Sequence, residues 1–162
     1  MLDVVNLLRW PGSRADVSLD EPLDGVATTA AEAERAHGSL VAESMPDSLS
    51  ITGVIQADWM GECRRCLGPA RGTIDVDVQE VYERSPEEGE TFALTDDRVD
   101  LAPMLSELIT LTLPLAPLCG DDCQGPAPEE FPTTVEQDEP PEEPPRDPRW
   151  GALDALVFDE DD

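Results

Sequence analysis

The sequence predicts an α+β fold: an antiparallel β-sheet with one packed helix, then a disordered acidic Pro-rich linker and a short C-terminal helix. Three observations carry that expectation. Residues 48–59 and 72–82 alternate apolar and polar side chains with period two, the pattern of half-buried strands. Residues 101–109 carry one apolar stripe at helical spacing, as expected of a helix laid on a core. From residue 125 the chain turns to Pro and acid, a composition that buries too little apolar surface to offset the entropy of ordering. The domains expected are therefore 1–124 for the α+β body, 125–146 for the linker and 147–162 for a C-terminal helical segment.

The elements follow in order. Residues 4–10 form a short apolar run stopped by Pro11 and Gly12, which reads as a first strand. Residues 13–36 are rich in small and acidic residues; 28–36 carry a helical suggestion, and the segment reads equally as a mobile loop. Residues 39–43 read as a second strand, with turn chemistry at Pro46 and Asp47. In 48–59, Leu49, Ile51, Gly53, Ile55, Ala57 and Trp59 share a face. In 72–82, Ile74, Val76 and Val78 face opposite to Asp75, Asp77 and Gln79. These two strands are expected to pair as a hairpin. Residues 84–99 are an acidic connector anchored by Phe92 and Leu94. A helix over 100–109 starts with Asp100 as N-cap and Pro103 in its first turn, and Pro114 ends it. Beyond the linker, Trp150, Leu153, Leu156 and Val157 recur on one helical face.

Charge narrows the partners. In 162 residues there are 37 Asp and Glu against 10 basic residues, all of them Arg, for a net charge of -27. Such a chain repels phosphate backbones and anionic membrane surfaces as a whole. A basic protein partner is favoured instead. The opening residues lack a basic segment, and the most apolar later stretch, 101–118, is broken by Glu107, Pro103, Pro114 and Pro117. The expectation is a cytoplasmic protein with no membrane partner.

In that reducing compartment, cysteine pairs are read as metal ligands or redox groups before disulfides. The four cysteines fall into two tight pairs, Cys63 with Cys66 and Cys119 with Cys123. Together they can supply the four thiolates of one structural zinc ion, with no position open for water. Arg64 and Arg65 inside the first pair would offset the net negative charge of such a site. Two other readings stand beside this one: four unrelated buried thiols, and a redox dithiol at Cys63 and Cys66. The single histidine, His37, excludes the usual His-based metal and triad chemistry. Phosphate-binding Gly-rich loops are absent as well. Nothing in the sequence argues for an enzyme.

The order of motifs carries a resemblance. Glu62-Cys63-Arg64-Arg65-Cys66-Leu67 is followed by a strand ending Gln79-Glu80-Val81-Tyr82, and Val99-Asp100-Leu101 then opens a helix. After it come Leu113-Pro114-Leu115-Ala116-Pro117-Leu118-Cys119, Cys123, and Asp147-Pro148-Arg149-Trp150-Gly151-Ala152-Leu153 with Leu156. This resembles the YceD-like large ribosomal RNA subunit accumulation protein family. The resemblance implies a ribosome biogenesis factor that supports large ribosomal RNA accumulation and large-subunit assembly. Relatives often continue with a further Cys-Pro-x-Cys-Gly. Here Gln124 to Phe131 holds no cysteine, so any metal falls to Cys63, Cys66, Cys119 and Cys123. Charge favours a basic ribosomal protein or large-subunit precursor particle as partner. A local RNA contact through Arg64, Arg65 and Arg71 is the second reading. The alternative from another class is a thiol-disulfide redox regulator using Cys63 and Cys66.

Overall fold

The computed structural model describes residues 1–130. Its elements run β1 (Leu2–Asp3), β2 (Arg14–Pro22), β3 (Ala31–Ser44), β4 (Ser48–Glu62), β5 (Pro69–Glu83), β6 (Phe92–Thr95), β7 (Arg98–Val99) and α1 (Ala102–Thr112). The seven strands form one sheet in the order β1-β7-β6-β5-β4-β3-β2. All neighbours are antiparallel except β5 and β6, which run parallel. The fold is therefore mostly β, with 48% of the described residues in strands and 8% in helix. It is a curled, mixed half-barrel with one short helix, which corrects the α+β class expected from the sequence. The linker and terminal helix expected over 125–162 lie outside the described residues from 131 onward.

The correction comes chiefly from the first third of the chain. Within residues 13–36, 14–22 are strand β2 and 31–36 begin β3, and only 23–30 between them are loop, with no helix. Alanine and glutamate favour helix intrinsically, but β-structure is decided by what a face packs against. Ala31 and Ala33 point into the core, a register shift follows between Ala33 and Arg35, and Ala36, Leu40 and Ala42 resume the buried row. That bulge breaks the period-two signal in the sequence. The first expected strand, over residues 4–10, does not form: β1 covers only Leu2–Asp3, and residues 5–9 are turn. Asp3 Oδ1 accepts the Val5 N–H at 3.1 Å, and the Leu8 N–H bonds the Val4 carbonyl, so the chain turns after β1.

The centre of the sheet matches its sequence signal. β4 and β5 pair over their whole length, from Ser48 with Glu83 to Glu62 with Pro69. Leu49, Ile51, Ile55, Ala57 and Trp59 are buried on β4, and Val76 and Val78 on β5. Fully burying a Leu or Ile side chain stabilises by roughly 1.5–3 kcal/mol. The alternate residues Asp75, Asp77 and Gln79 are exposed. Gly72 lies opposite Trp59, and a Cβ there would meet the indole at 2.9 Å, so glycine lets the ring lie across the strand. Gly53 has φ +148°, and a Cβ on it would stand 2.8 Å from the Ser39 carbonyl oxygen. This close backbone approach lets the sheet curl at β3 and β4.

Helix α1 starts two residues later than the sequence suggests. Leu101 occupies the cap position without a side-chain bond, while Asp100 Oδ1 accepts the Ala102 N–H at 3.1 Å. Met104, Leu105 and Ile109 are buried, and Leu101 and Leu113 extend the stripe. Leu113 leaves helical geometry just before Pro114, as expected of a residue preceding proline. Tyr82 on β5 fixes the helix entry, its hydroxyl donating to the Asp100 carbonyl at 3.2 Å. No helix among the described residues is long and apolar enough to cross a membrane.

Candidate metal centre

The chemistry-bearing residues gather at one end of the β4–β5 hairpin. Cys63, Arg64, Arg65 and Cys66 form the turn between Glu62, the last residue of β4, and Pro69, the first of β5. The Cys63 N–H donates to the Gly68 carbonyl at 2.7 Å, and the Leu67 N–H returns to the Cys63 carbonyl at 2.9 Å. Leu67 takes φ +60°, the left-handed region that closes a tight turn. The turn thus holds both Cys63 and Cys66 toward the same side. Leu67 gave no sequence signal for this closure, because a leucine rarely adopts that backbone.

The second pair arrives from far along the chain. After α1, residues 113–118 return toward the hairpin end, where the Arg64 N–H donates to the Pro117 carbonyl at 2.9 Å. Cys119 and Cys123 flank a turn in which the Cys123 N–H bonds the Gly120 carbonyl at 3.2 Å. Arg65 then bridges the two turns: its guanidinium donates to the Asp121 carbonyl at 3.0 Å and the Cys123 carbonyl at 3.2 Å. The sequence marked Arg65 for charge or for RNA. Its place in the structure is that of a clamp on the second turn.

The four sulfurs converge. All lie within 4.8 Å of one another. Cys63 Sγ is 3.8 Å from Cys123 Sγ, and Cys66 Sγ is 3.7 Å from Cys119 Sγ. Four sulfurs each about 2.3 Å from a central ion define a tetrahedron with edges of about 3.8 Å. The observed separations match that edge and are nearly twice a disulfide bond of about 2.05 Å. The four cysteines are free thiols. The donor set therefore fits one tetrahedral ion taken from both pairs. Four unrelated buried thiols do not describe it.

Electrostatics point the same way. The Cys63 thiol is held down at about 6 by hydrogen bonds from the backbone N–H groups of Cys66 and Cys119, against the opposing effect of burial. Cys119 is pushed up to about 12, first by the Cys123 sulfur and then by those of Cys63 and Cys66. At Cys66 the Gly68 N–H pulls downward, but the sulfurs of Cys63 and Cys123 outweigh it and the thiol rises. One thiolate forms readily and opposes the next. Only a cation among them lets all four ionise together.

The arginines that the sequence grouped for RNA are dispersed in their roles. Arg65 is engaged with the two carbonyls. Arg71 lies 3.6 Å from Glu34 in an exposed ion pair. Arg64 is exposed beside the knuckle. His37 is half-exposed on β3 with its Nδ1 4.0 Å from Asp58, away from the cysteines.

Comparison with known proteins places the chain. The family described as large ribosomal RNA subunit accumulation protein YceD matches residues 51–157. Uncharacterized proteins of Mycobacterium tuberculosis and Mycobacterium bovis are 32% identical over 128 residues, covering 74% of this chain and 61% of theirs. One of Mycobacterium leprae is 27% identical over 90 residues, covering 51% of this chain and 42% of its own length. The chain thus spans less than two thirds of the length of these relatives. No solved structure matches it. The match runs from near the start of β4 through the first cysteine turn, the helix and the second cysteine turn, and on that ground the chain belongs to the YceD family of large ribosomal RNA subunit accumulation proteins.

Proposed function

We propose that this chain is a non-enzymatic ribosome biogenesis factor that supports large ribosomal RNA accumulation by binding a basic ribosomal protein or a large-subunit precursor particle in the cytoplasm. In this reading its four cysteines hold one structural zinc ion. The observation that carries the function is the family match through the hairpin, helix and both cysteine turns. The net charge of -27 supports a protein contact over naked RNA. Of the three arginines nearest the first cysteine pair, Arg65 and Arg71 already have partners in the fold, which leaves little basic surface for phosphates. Zinc is supported by the all-thiolate set and the tetrahedral sulfur spacing. Sulfur contacts of 3.8 and 3.7 Å join each pair to the other, which a shared ion requires and a redox dithiol confined to Cys63 and Cys66 does not. The test is affinity isolation from cells with nuclease treatment. A basic ribosomal protein retained after nuclease supports the reading. Loss of all ribosomal material with nuclease, together with loss in Arg64→Glu, replaces it with RNA contact.

A further inference from the structure

The half-barrel is open along one seam. Strand β2 ends the sheet on one side and β1 on the other, and no strand among the described residues joins them. Between them runs a groove of about 740 Å³, floored by Val17, Leu19, Val26, Leu101 and Leu105, with Leu2 on its far wall. The nine-residue edge strand β2 is long for an edge left open among the described residues, and its acidic residues with Pro22 are devices that deter unselective pairing, leaving a charge-selected partner.

The register states which groups the edge offers. Ser44 N–H donates to the Ser13 carbonyl, and Leu23 N–H to the Glu34 carbonyl. These two contacts flank an unbroken antiparallel register in which Val17 faces Leu40 and Leu19 faces Gly38. Hydrogen-bonded pairs alternate along such a ladder. Odd-numbered residues of β2 therefore bond β3, and Arg14, Asp16, Ser18 and Asp20 turn their N–H and C=O groups to the open edge. Pro22 falls on the same open side, where its missing donor leaves β3 undisturbed and marks the end of the available ladder.

We propose that this edge receives an extended segment of a protein partner as an added strand, with apolar side chains alternating with Lys or Arg. The alternation follows from the pleat. Residues of the added strand level with Val17 and Leu19 face the apolar groove. Those level with Asp16, Ser18 and Asp20 stand on the opposite face, where the two Asp are exposed, while Glu21 and Asp24 line the groove itself and add acid at its end. Asp20 is bridged by Arg35 at 2.6 Å, while Asp16 stands exposed four pairs further along. Main-chain bonds supply affinity in this mode and the alternating side chains supply selection. A second copy of this chain suits the edge poorly, because antiparallel β2 pairing sets acid rows beside each other in a protein of charge -27. The inference rests on the basic protein partner proposed above and specifies how it is held.

The test uses the full chain and a labelled eight-residue peptide of alternating Lys and Val. Binding is read by fluorescence anisotropy, and amide exchange is read at residues 14–20. The peptide should bind, and Asp16, Ser18 and Asp20 amides should gain protection. Ser18→Pro removes one outward N–H without touching a β3 bond, so it should weaken binding about tenfold or more with little change in melting temperature. Asp16→Lys should weaken it at low salt and less at high salt. Equal affinity in both variants overturns the proposal, as does a free protein that is already a dimer with those amides protected. In affinity isolation, a basic ribosomal protein recovered equally by wild type and Ser18→Pro sinks the edge docking and leaves the functional reading standing. Recovery of no ribosomal protein by either sinks that reading instead.

Discussion

Removing the metal, or one of its ligands, should unfasten the two cysteine turns, and the size of the effect can be worked out. Cys66 and Cys119 are 53 positions apart in the chain, yet their sulfurs sit 3.7 Å from each other. A cross-link closing a loop of that length takes roughly 4 kcal/mol of conformational freedom from the unfolded chain. Arg64 N–H to Pro117 and the two bonds from Arg65 also tie the second turn to the hairpin. We expect purified protein to carry close to one equivalent of zinc by elemental analysis. Chelation should lower the melting temperature by about 10–20 °C for a domain of this size. Cys119→Ser and Cys63→Ser should lose the metal alike, although Cys63 is buried and Cys119 exposed. The serine variants should show the same drop without chelator and no further drop with it. A melting temperature indifferent to chelation, or metal loss confined to one pair, would refute a shared staple. Acid should release the ion as protons compete for the thiolates, so metal content should fall as pH is lowered.

Three further outcomes follow from other contacts. Arg65→Ala deletes the donors to Asp121 and Cys123, and zinc affinity measured by chelator competition should fall about tenfold, as for other groups that orient ligands from behind. Tyr82→Phe should cost about 1 kcal/mol in urea denaturation through loss of the bond to Asp100. The Tyr82 hydroxyl is raised above the usual tyrosine range by burial, then by the charges of Asp100 and Glu80. Above about pH 10 it therefore ionises in the unfolded chain while staying neutral in the folded one, and stability should decline with rising pH there in wild type but less in the Phe variant. Gly53→Ala places a Cβ 2.8 Å from the Ser39 oxygen at a positive φ. It should destabilise by about 1–3 kcal/mol, whereas alanine at exposed Gly25, with open space around it, pays only for its backbone strain.

The legible part of this protein is the part whose signal is local. Period-two burial in β4 and β5 needs only each residue's own alternation, and both strands lie where the sequence put them. The same holds for the stripe that becomes α1, and for the tight pairing of the cysteines, which pointed to metal before any fold was known. The family order of motifs was legible too, since it is a property of the chain rather than of its packing.

What only the tertiary structure decided depends on contacts between distant residues. β3 carries helix-favouring Ala and Glu and a bulge at Ala33, so its strand character comes from β2 and β4 on either side of it. The change from α+β to a mostly β half-barrel follows from that one segment together with its partner β2. The joining of Cys63 and Cys66 to Cys119 and Cys123 was chemically permitted by spacing, but it required the helix to lie on β5 and the chain after Leu113 to double back. Arg65 shows the same division: its charge was visible in the sequence, while its use as a clamp was set by carbonyls of Asp121 and Cys123 that approach it only after folding. The free edge of β2 belongs to this class as well, because an edge is defined by the strand that is not beside it, and local periodicity carries no information about neighbours.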